Sequence, residues 1–569
     1  MNILGISALD NMASVALVCD GTIAAAISEE RLTRVKLQAG FPNRALDEAL
    51  RIAGLKESDI DLVTYPFHSW RREAFEVWTG LLRNIVEEAR GPTDPASKLR
   101  HLARYTKWSL DSTGVHRRYH RELKRELVRR GLYDKLERVE HHQTHAASAY
   151  LTSGADEAIV ATLDWYGGGL AGSISLARPN GIKRLKSIRF PHSMGMFYAY
   201  VTLALKFKPA RHEGKIVGLA AYGDPTILFK QVRERFTVRD GDLKFHSGAD
   251  LRFVHDLAAR YPREHVAAAY QAVLEDVVVE LITHYVRTTG IKSVVLAGGV
   301  TANVKMNQRI FEIEGVDHIF IHPAMGDEGT GTGGALDAAF RRGEVSSTPI
   351  EHVYLGPEYS EDEMRRCIES HGYTPQPRDD IEKEIARRLA AGEVIAHFDG
   401  RMEYGPRALG NRSILCHPGD PTINDWLNKR LQRTEFMPFA PVSRVEEAEA
   451  CYKGIRGFSH AARFMTITCD CTEKMKTLSP AAVHIDGTAR PQLVDPEHGG
   501  KIHRILTHYV EMTGIPAIIN TSFNMHEEPI VCTPDDALRA FRQSGLEALV
   551  MGRLLVEQHP ERIKDAKSP

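Results

Sequence analysis

AIVATLDWYGGGLAGSISLARPNGIKRLKSI, residues 158 to 188, alternates short apolar runs with a glycine cluster and with Asn180-Gly181. Both interruptions are turn signals, as expected where paired strands reverse direction. The N-terminus has a similar pattern: NILGIS and SVALVC are predicted strands, Asp20-Gly21 is a turn signal, and TIAAAISEERLTR predicts a helix. Two copies of one hairpin-and-helix unit predict a duplicated lobe in an α/β protein.

Composition limits the classes of function. The chain has 569 residues, with 73 Lys and Arg against 74 Asp and Glu, so no excess positive charge favours nucleic acid as a partner. No apolar run approaches the roughly 20 residues of a membrane span, and no basic leader precedes the first strand. Seven cysteines without a CxxC pair are typical of buried thiols in a reducing compartment. We therefore expect a cytoplasmic protein without a membrane or nucleic-acid partner.

The chain is long enough for several folding units. Helical patterns dominate residues 66–138, and polar and turn residues accumulate over residues 341–364. We predict an N-terminal domain over residues 1–345, in which 66–138 is a variable helical insertion, and a C-terminal α/β domain over residues 350–569.

The segment VEHHQTHAASAYLTSG, residues 139 to 154, places three histidines at the start of a predicted helix. His141 and His145 are four residues apart and share a face, whereas His142 points away. Two imidazoles on one face are half of a metal site. The spacing alone is equally compatible with a histidine-rich helix start that contacts solvent.

Two further segments have the composition of anion-binding sites. GDEGTGTGGA opens a predicted helix, where its glycines suit either a bound phosphate or close helix packing. DGRMEYGPRALGNRS and INTSFN combine arginines with small hydroxyl and amide side chains. Guanidinium groups beside such donors are typical of an oxyanion or phosphate receptor.

The ordered blocks HHQTHAASAY, LDWYGGG, EGKIVGLAAYG, LAGGVTANVKMN, GDEGTGTGGA, YGPRALGNRS, PFAPV, ARPQ and NTSFN closely resemble the NodU/CmcH family of O-carbamoyltransferases. The resemblance covers nearly the whole chain. It implies that the duplicated lobes have the ASKHA fold of actin, sugar kinases and heat-shock ATPases, and that the C-terminal domain is YrdC-like.

The resemblance also implies a metal site. Its ligands would be the two histidines of one face and two aspartates, namely His141, His145, Asp164 and Asp327. The family's ion is Fe(II), although two imidazoles and two carboxylates suit Fe(II), Mn(II) or Zn(II) by ligand type.

The implied reaction has two steps. ATP, with Mg(II), and carbamoyl phosphate give carbamoyl-adenylate, and the carbamoyl group then passes to an alcohol of a small molecule such as a natural product or sugar. The implied receptor for carbamoyl phosphate and adenylate comprises Arg407, Arg412, Ser413, Arg430, Arg433, Arg490, Asn520 and Ser522. The implied nucleotide cleft of the N-terminal domain comprises Lys215, Gly298, Gly299, Asn303 and Gly331. The glycines of that cleft could also serve the fold alone.

The chain departs from the family pattern at several positions. Asn11 stands where the family has a histidine that takes the proton of the acceptor alcohol, and an amide is no base near neutral pH. We expect Asp10 to accept the proton while Asn11 orients the hydroxyl; activation of the alcohol by the metal is the alternative. Gln432 and Met437 replace a family lysine and arginine, and Arg433 is expected to supply one of the missing charges.

Three other functions share features with this sequence. A HypF-like enzyme that carbamoylates a protein cysteine is disfavoured by the absence of CxxC pairs, and a tRNA threonylcarbamoyl enzyme by the near-zero net charge. A non-catalytic nucleotide-binding regulator would not need the arginine and metal residues. The sequence does not identify the acceptor, although Trp70 and Trp78 offer stacking surfaces if they are not core residues. A homodimer is compatible with this resemblance.

Overall fold

The computed structural model describes residues 1–8, 11–90, 95–246, 250–433 and 436–559. The chain divides into two compact units: unit 1 comprises Met1–Glu29 and Leu37–Ile350, and unit 2 comprises Glu30–Lys36 and Glu351–Pro569. Both units combine helices with sheets, so the protein is a mixed α/β protein.

Unit 1 contains two five-stranded sheets with one shared topology. In each sheet the first three strands form an antiparallel meander, and the next two strands add in parallel beside the first strand. The strands are β1 (Asn2–Ser7), β2 (Ser14–Cys19), β3 (Thr22–Ser28), β4 (Leu62–Tyr65), β5 (Leu136–Arg138), β6 (Ala158–Gly167), β7 (Leu170–Arg178), β8 (Gly181–Arg189), β11 (Ser293–Ala297) and β12 (His318–Ile321), and β9 (Phe236–Arg239) and β10 (Asp242–Phe245) form a separate hairpin. The orders of the two sheets, β3-β2-β1-β4-β5 and β8-β7-β6-β11-β12, correspond strand for strand, which confirms the predicted duplication.

The prediction of a helix over TIAAAISEERLTR is wrong for its first seven residues. Thr22–Ser28 is strand β3, and only Glu29–Thr33 forms a short helix, α1. The three alanines of β3 favour a helix in isolation, but pairing with β2 and burial against α2 (Asn43–Ala53) override that preference. Each lobe therefore begins with three strands rather than a hairpin and a helix.

Two helices lie against each other at the centre of unit 1. α5 (His141–Leu151) packs on β6 and β11 of the second sheet, and α12 (Glu328–Arg341) packs on β1 and β2 of the first sheet. A Cβ on Gly333 would lie 1.8 Å from the Thr144 carbonyl oxygen, and a Cβ on Gly5 would lie 1.9 Å from that of Gly331. The glycines of GDEGTGTGGA therefore allow α12 to approach both α5 and β1. The other helices of unit 1 are α2 (Asn43–Ala53), α3 (Trp70–Arg90), α4 (Pro95–Arg129), α6 (Met194–Ala204), α7 (Glu213–Ala220), α8 (Phe229–Arg233), α9 (Asp250–Arg260), α10 (Arg263–Thr289) and α11 (Val304–Phe311).

The predicted helical insertion consists mainly of α3 and α4, which pack side by side. Trp78 donates a hydrogen bond from Nε1 to Thr113 Oγ1 at 3.2 Å, and the guanidinium of Arg117 lies 5.6 Å from the Trp70 ring centroid. Both tryptophans therefore contact the neighbouring helix. This contact favours the alternative that they are packing residues over the alternative that they are stacking surfaces for the acceptor.

Unit 2 is built on an eight-stranded mixed sheet. Its strands are β13 (Gln376–Pro377), β14 (Ile395–Phe398), β15 (Arg412–Cys416), β16 (Ala440–Arg444), β19 (Gln492–Val494), β20 (Ala517–Ser522), β21 (Ala548–Met551) and β22 (Leu554–Glu557), with β17 (Cys469–Asp470) and β18 (Thr488–Ala489) as a separate pair. The strand order in the sheet is β13-β22-β21-β14-β15-β20-β16-β19. Its helices are α13 (Glu361–Ser370), α14 (Ile381–Ala390), α15 (Ile423–Arg430), α16 (Ala448–Cys451), α17 (Ser459–Ala462), α18 (Glu473–Leu478), α19 (Gly500–Thr513) and α20 (Pro534–Ser544).

Unit 2 also contains a segment from the N-terminal part of the chain, Glu30–Lys36. Arg34 donates hydrogen bonds to the carbonyl oxygens of Pro529 and Ile530 at 2.6 and 2.7 Å and forms an ion pair with Asp536. Leu32 packs against an apolar cluster of Met402, Ala408, Ile530 and Cys532. The sequence did not predict this association, because every one of these partners is more than 360 residues distant. In the described part of the chain, no helix has the length and apolar character needed to cross a membrane.

Candidate functional site

Two imidazoles and two carboxylates converge in unit 1. His141 and His145 lie in the first turns of α5, Asp164 lies near the end of β6, and Asp327 immediately precedes α12. One ligand atom from each residue lies within 4.8 Å of all the others. The four residues are up to 186 positions apart in the sequence. They meet because the first two turns of α5, the end of β6 and the start of α12 lie close together.

The two histidines face the same two carboxylates. Nε2 of His141 and Nε2 of His145 each lie 3.3 Å from Asp164 Oδ2, and they lie 3.7 and 3.6 Å from Asp327 Oδ1. His142 points elsewhere, as its spacing predicts, because its Nδ1 lies 2.9 Å from Thr162 Oγ1. The geometry thus separates the first and last histidines of HHQTH from the middle one.

The electrostatics of this cluster fit a bound cation. Both histidines are fully buried, and His145 Nε2 makes no geometrically sound hydrogen bond within the described structure. Burial lowers the pKa of His145, but the contacts with Asp164 and Asp327 outweigh burial and raise it to about 9. Burial raises the pKa of Asp164, yet the two imidazoles hold that pKa well below its usual range. Two anionic oxygens and two buried imidazole nitrogens are donors suited to a divalent first-row metal ion.

Neighbouring residues hold the cluster in place. The Trp165 backbone N–H donates to Asp164 Oδ1 at 2.7 Å, and Phe67 lies against the His141 ring with a centroid distance of 4.9 Å. The Glu140 carboxylate caps α5 by accepting from the Gln143 N–H at 2.8 Å. These contacts fix the start of α5 and hence the direction of both histidine side chains.

The turn after β1 lies beside this cluster. Ser14 Oγ donates to the Glu328 carbonyl oxygen at 2.8 Å, and a Cβ on Gly326 would lie 3.1 Å from Met12 Sδ, so the turn meets the residues on both sides of Asp327. Asn11 Oδ1 is buried and has no hydrogen-bond partner in the described part of the chain. Asp10, the predicted proton acceptor, lies outside the described residues.

The residues predicted for a nucleotide cleft occupy different environments. Gly298 and Gly299 form the turn after β11, and a Cβ on Gly299 would lie 3.3 Å from Asp164 Oδ1. Asn303 caps α11 through Met306 N–H and exchanges two hydrogen bonds with the Gln271 amide. Lys215 is buried in α7, and Gly331 is buried where α12 meets β1. The Gly298-Gly299 turn therefore adjoins the histidine and aspartate cluster, whereas Asn303 caps a helix and Gly331 packs against β1.

In unit 2, Asn520 offers an acceptor inside the protein. Its Nδ2 donates to Gln492 Oε1 at 2.7 Å and to the Ala408 carbonyl oxygen at 3.2 Å, which fixes the orientation of the amide. Its Oδ1 is buried and has no hydrogen-bond partner in the described structure. A ligand that donates an N–H would satisfy this atom.

Arg433 and Ser522 meet at the end of β20. The Arg433 guanidinium donates to Ser522 O and Asn524 O at 2.8 and 2.7 Å and lies 3.3 Å from Ser522 Oγ. Arg430 lies over the Trp426 ring at 4.8 Å from its centroid, and Arg490 lies just after β18. Arg433 therefore contributes to the shape of the β20 end as well as to its positive charge.

Arg412 and Ser413, which are predicted for the receptor, lie in the interior of unit 2. The Arg412 side chain is fully buried, its guanidinium lies 3.7 Å from the Phe398 ring centroid, and it donates to backbone carbonyl oxygens, including that of Gly400 at 3.1 Å. Ser413 Oγ is buried and accepts from the Gly410 N–H at 3.0 Å. These hydrogen bonds tie both residues to neighbouring backbone, and Arg412 Nε, also buried, has no hydrogen-bond partner in the described structure.

Two residues that the sequence analysis missed organise the loop that carries Arg407, residues 399–411. Glu403 is buried, and its Oε1 accepts from the N–H groups of Leu409, Asn411 and Arg412 at 2.8 to 3.0 Å. Arg31 donates to the Gly405 carbonyl oxygen at 2.8 Å. Glu403 lies within an arginine-rich motif and could have been considered, whereas nothing near Arg31 in sequence indicates this contact.

Lys36 is a further cation of unit 2. Burial lowers the pKa of its ammonium group, Glu30 and Glu527 oppose that change, and Arg31 and Arg433 add to it. Lys36 ends the segment Glu30–Lys36, whose Arg31 contacts the loop that carries Arg407.

Comparisons with known proteins find matches in both units of the chain. A family model described as "Carbamoyltransferase N-terminus" matches residues 2–336, and one described as "Carbamoyltransferase C-terminus" matches residues 386–558. An uncharacterized protein of Synechocystis is 30% identical over 100% of this chain and 98% of its own length. Nodulation protein NolNO of Sinorhizobium fredii is 30% identical over 96% of this chain and 79% of its own length.

A relative with a named reaction is the 3'-hydroxymethylcephem-O-carbamoyltransferase of Amycolatopsis lactamdurans. It is 27% identical over 60% of this chain and 64% of its own length. The resemblance inferred from the sequence blocks is confirmed, since the two family models together cover most of the molecule. The chain belongs to the carbamoyltransferase family.

Proposed function

We propose that the protein is an ATP-dependent O-carbamoyltransferase. Unit 2 would form carbamoyl-adenylate from carbamoyl phosphate and ATP, and unit 1 would transfer the carbamoyl group to a hydroxyl of a small-molecule acceptor. The observation that carries the proposal is the buried, unsatisfied Oδ1 of Asn520 within a family-matched region rich in arginines. A carbamoyl group has the NH₂ that this atom lacks.

The residues of unit 2 suit the first step. Water cleaves carbamoyl phosphate to carbamate and phosphate, and a carbamate oxygen then attacks the α-phosphorus of ATP and expels pyrophosphate. Asn520 would accept a hydrogen bond from the carbamoyl NH₂, while Arg407, Arg490 and Lys36 would stabilise the phosphate charges. Arg430, Arg433 and Ser522 would complete the receptor at the end of β20. AMP is a good leaving group, so adenylation prepares the carbamoyl carbon for attack by an alcohol.

The residues of unit 1 suit the second step. Asn11 would orient the acceptor hydroxyl so that its oxygen faces the carbamoyl carbon. Asp10 would take the proton, and AMP would leave as the new C–O bond forms. His141, His145, Asp164 and Asp327 would hold a divalent ion, for which Fe(II) is our first candidate. When bound, this ion would supply a positive charge that lowers the pKa of the acceptor hydroxyl.

The proposal includes the fold assignments. The repeated topology of the two sheets supports an ASKHA-type fold for unit 1, with Gly298 and Gly299 as candidate nucleotide contacts near the cluster. A YrdC-like fold for unit 2 rests on the sequence blocks. Mg(II) would accompany ATP in the first step.

The test uses the purified full-length protein. We expect pyrophosphate release that requires both ATP and carbamoyl phosphate, and, in a screen of candidate alcohols, products heavier by one carbamoyl group. Pyrophosphate release independent of carbamoyl phosphate would contradict the first step. Carbamoylation of a protein thiol or of tRNA, with no small-molecule product, would overturn the assigned acceptor class.

A further inference from the structure

We infer that unit 2 contains a second metal site, formed by Cys367, His371 and Asp535, that takes Zn²⁺. This inference is independent of the proposed carbamoyl transfer. Sγ of Cys367, an imidazole nitrogen of His371 and a carboxylate oxygen of Asp535 all lie within 4.8 Å of one another. Sulfur, imidazole nitrogen and carboxylate oxygen are the three protein donor types that tetrahedral Zn²⁺ accepts.

The helix geometry brings the three donors together. Cys367 lies in the last turn of α13 and His371 caps that helix, and the His371 N–H donates to the Cys367 carbonyl oxygen at 3.2 Å, so the two side chains share one face. Asp535 lies in the first turn of α20, which packs against α13. His371 Nε2 lies 2.8 Å from Asp535 Oδ1.

Capping of α20 does not use Asp535. Thr533 and Asp536 form the capping box of α20, and Asp536 also pairs with Arg34 and Arg539. The Asp535 carboxylate instead faces the end of α13. A His–Asp ion pair would explain two of the three groups, but a neutral thiol is a weak hydrogen-bond partner for either. A single cation would be coordinated by all three side chains, with Cys367 bound as a thiolate after its proton passes to solvent.

The site opens to solvent on one side. The Asp535 side chain is 70% exposed and that of His371 is 19% exposed, while Cys367 is partly buried. A water molecule can therefore complete four-coordination. A metal held by the end of one helix and the start of another would join α13 to α20.

Cobalt titration of the metal-stripped full-length protein tests this site. Cys367 would give a thiolate-to-cobalt absorption band at one equivalent per chain, and added Zn²⁺ should abolish it. The histidine and aspartate cluster of unit 1 has no sulfur donor and cannot give this band. The variants Cys367→Ser and His371→Gln should lose the band, and Cys19→Ser, which removes the other partly exposed thiol, should keep it.

A second measurement needs no variant. Zn²⁺ should slow alkylation of Cys367 in the wild-type protein at least about tenfold, while the rate at Cys19 stays unchanged, as read by mass spectrometry of the labelled peptides. A missing cobalt band in the wild type, a band that survives in Cys367→Ser, or equal alkylation rates with and without Zn²⁺ would each overturn the site.

Discussion

The histidine and aspartate cluster of unit 1 and the arginine region of unit 2 are built in different ways. In unit 1 the ligands come from the start of α5, the end of β6 and the start of α12, and four short side chains converge within 4.8 Å. In unit 2 the cations come mostly from loops and element ends, such as residues 399–411 and the residues after α15.

This difference would follow from the proposed ligands, a metal ion in unit 1 and phosphate groups in unit 2. A small cation needs donors at fixed positions, which short side chains on regular elements provide. A phosphate can be bound by long guanidinium groups, but the loops that carry them must be held by other residues. Unit 2 therefore depends on supporting groups such as Glu403, Arg412 and the segment Glu30–Lys36.

The largest effect is expected from His145→Ala, which should distinguish the reaction step of unit 1 from that of unit 2. Removing one of four ligands should eliminate bound metal and stop carbamoyl transfer, while carbamoyl-phosphate-dependent pyrophosphate release persists. Elemental analysis and the two activity assays measure these effects. His142→Gln is the matched control, because His142 faces Thr162 and should leave the metal content unchanged. Loss of both half-reactions in a folded His145→Ala protein would refute the division of labour.

Asp10→Asn should have the next largest effect and act only on unit 1. General-base assistance is typically worth about a hundred- to ten-thousandfold in rate, so transfer from preformed carbamoyl-adenylate should fall within that range. Asp20→Asn, at a turn where the side chain is 91% exposed, is the control. A transfer rate within about threefold of wild type, less than roughly 0.7 kcal/mol in the barrier, would instead favour metal activation of the alcohol.

Arg407→Ala should act only on unit 2. Loss of a hydrogen bond to a charged group, worth about 1.5 to 3 kcal/mol, should lower carbamoyl-phosphate-dependent pyrophosphate release by about 10- to 150-fold or more. Transfer from saturating carbamoyl-adenylate should stay within a few-fold of wild type. Arg456→Ala is the control, since Arg456 is 84% exposed and pairs only with Glu449 among the described ion pairs. Equal rates for Arg407→Ala and Arg456→Ala would remove Arg407 from the receptor.

The smallest effect is expected from Glu403→Gln, which tests the support of the loop. A neutral amide oxygen can still accept from the loop N–H groups, but more weakly, so the free energy of unfolding of the full-length protein should fall by about 1 to 2 kcal/mol. Glu403→Ala, which removes the acceptor, should cost more and increase proteolytic cleavage within residues 399–411. Denaturant unfolding and limited proteolysis measure both, with the exposed Glu497→Gln as control. An unchanged free energy of unfolding and unchanged cleavage in both variants would show that Glu403 does not stabilise the loop.

Sequence reasoning succeeded where a pattern repeats locally or where side chains share a helix face. The strand and turn signals around Asp20-Gly21 and Asn180-Gly181 correspond to turns between paired strands. The spacing in HHQTH correctly separated His142 from its neighbours. Sequence reasoning failed over TIAAAIS, because pairing with β2 outweighs the local preference of alanine for a helix. It also did not predict that the Arg412 guanidinium is buried and donates to backbone carbonyl oxygens.

Local composition and spacing established the duplicated lobe, the shared face of His141 and His145, and the arginine-rich segments, since these depend on residues close together in the chain. The tertiary structure alone brings Asp164 and Asp327 to the histidines, Glu30–Lys36 to unit 2, and Asp535 to Cys367 and His371. It also assigns the glycines of α12 to close packing against α5 and β1. These contacts join distant positions through sheet pairing and helix packing, and no local periodicity records which distant partner a side chain will meet.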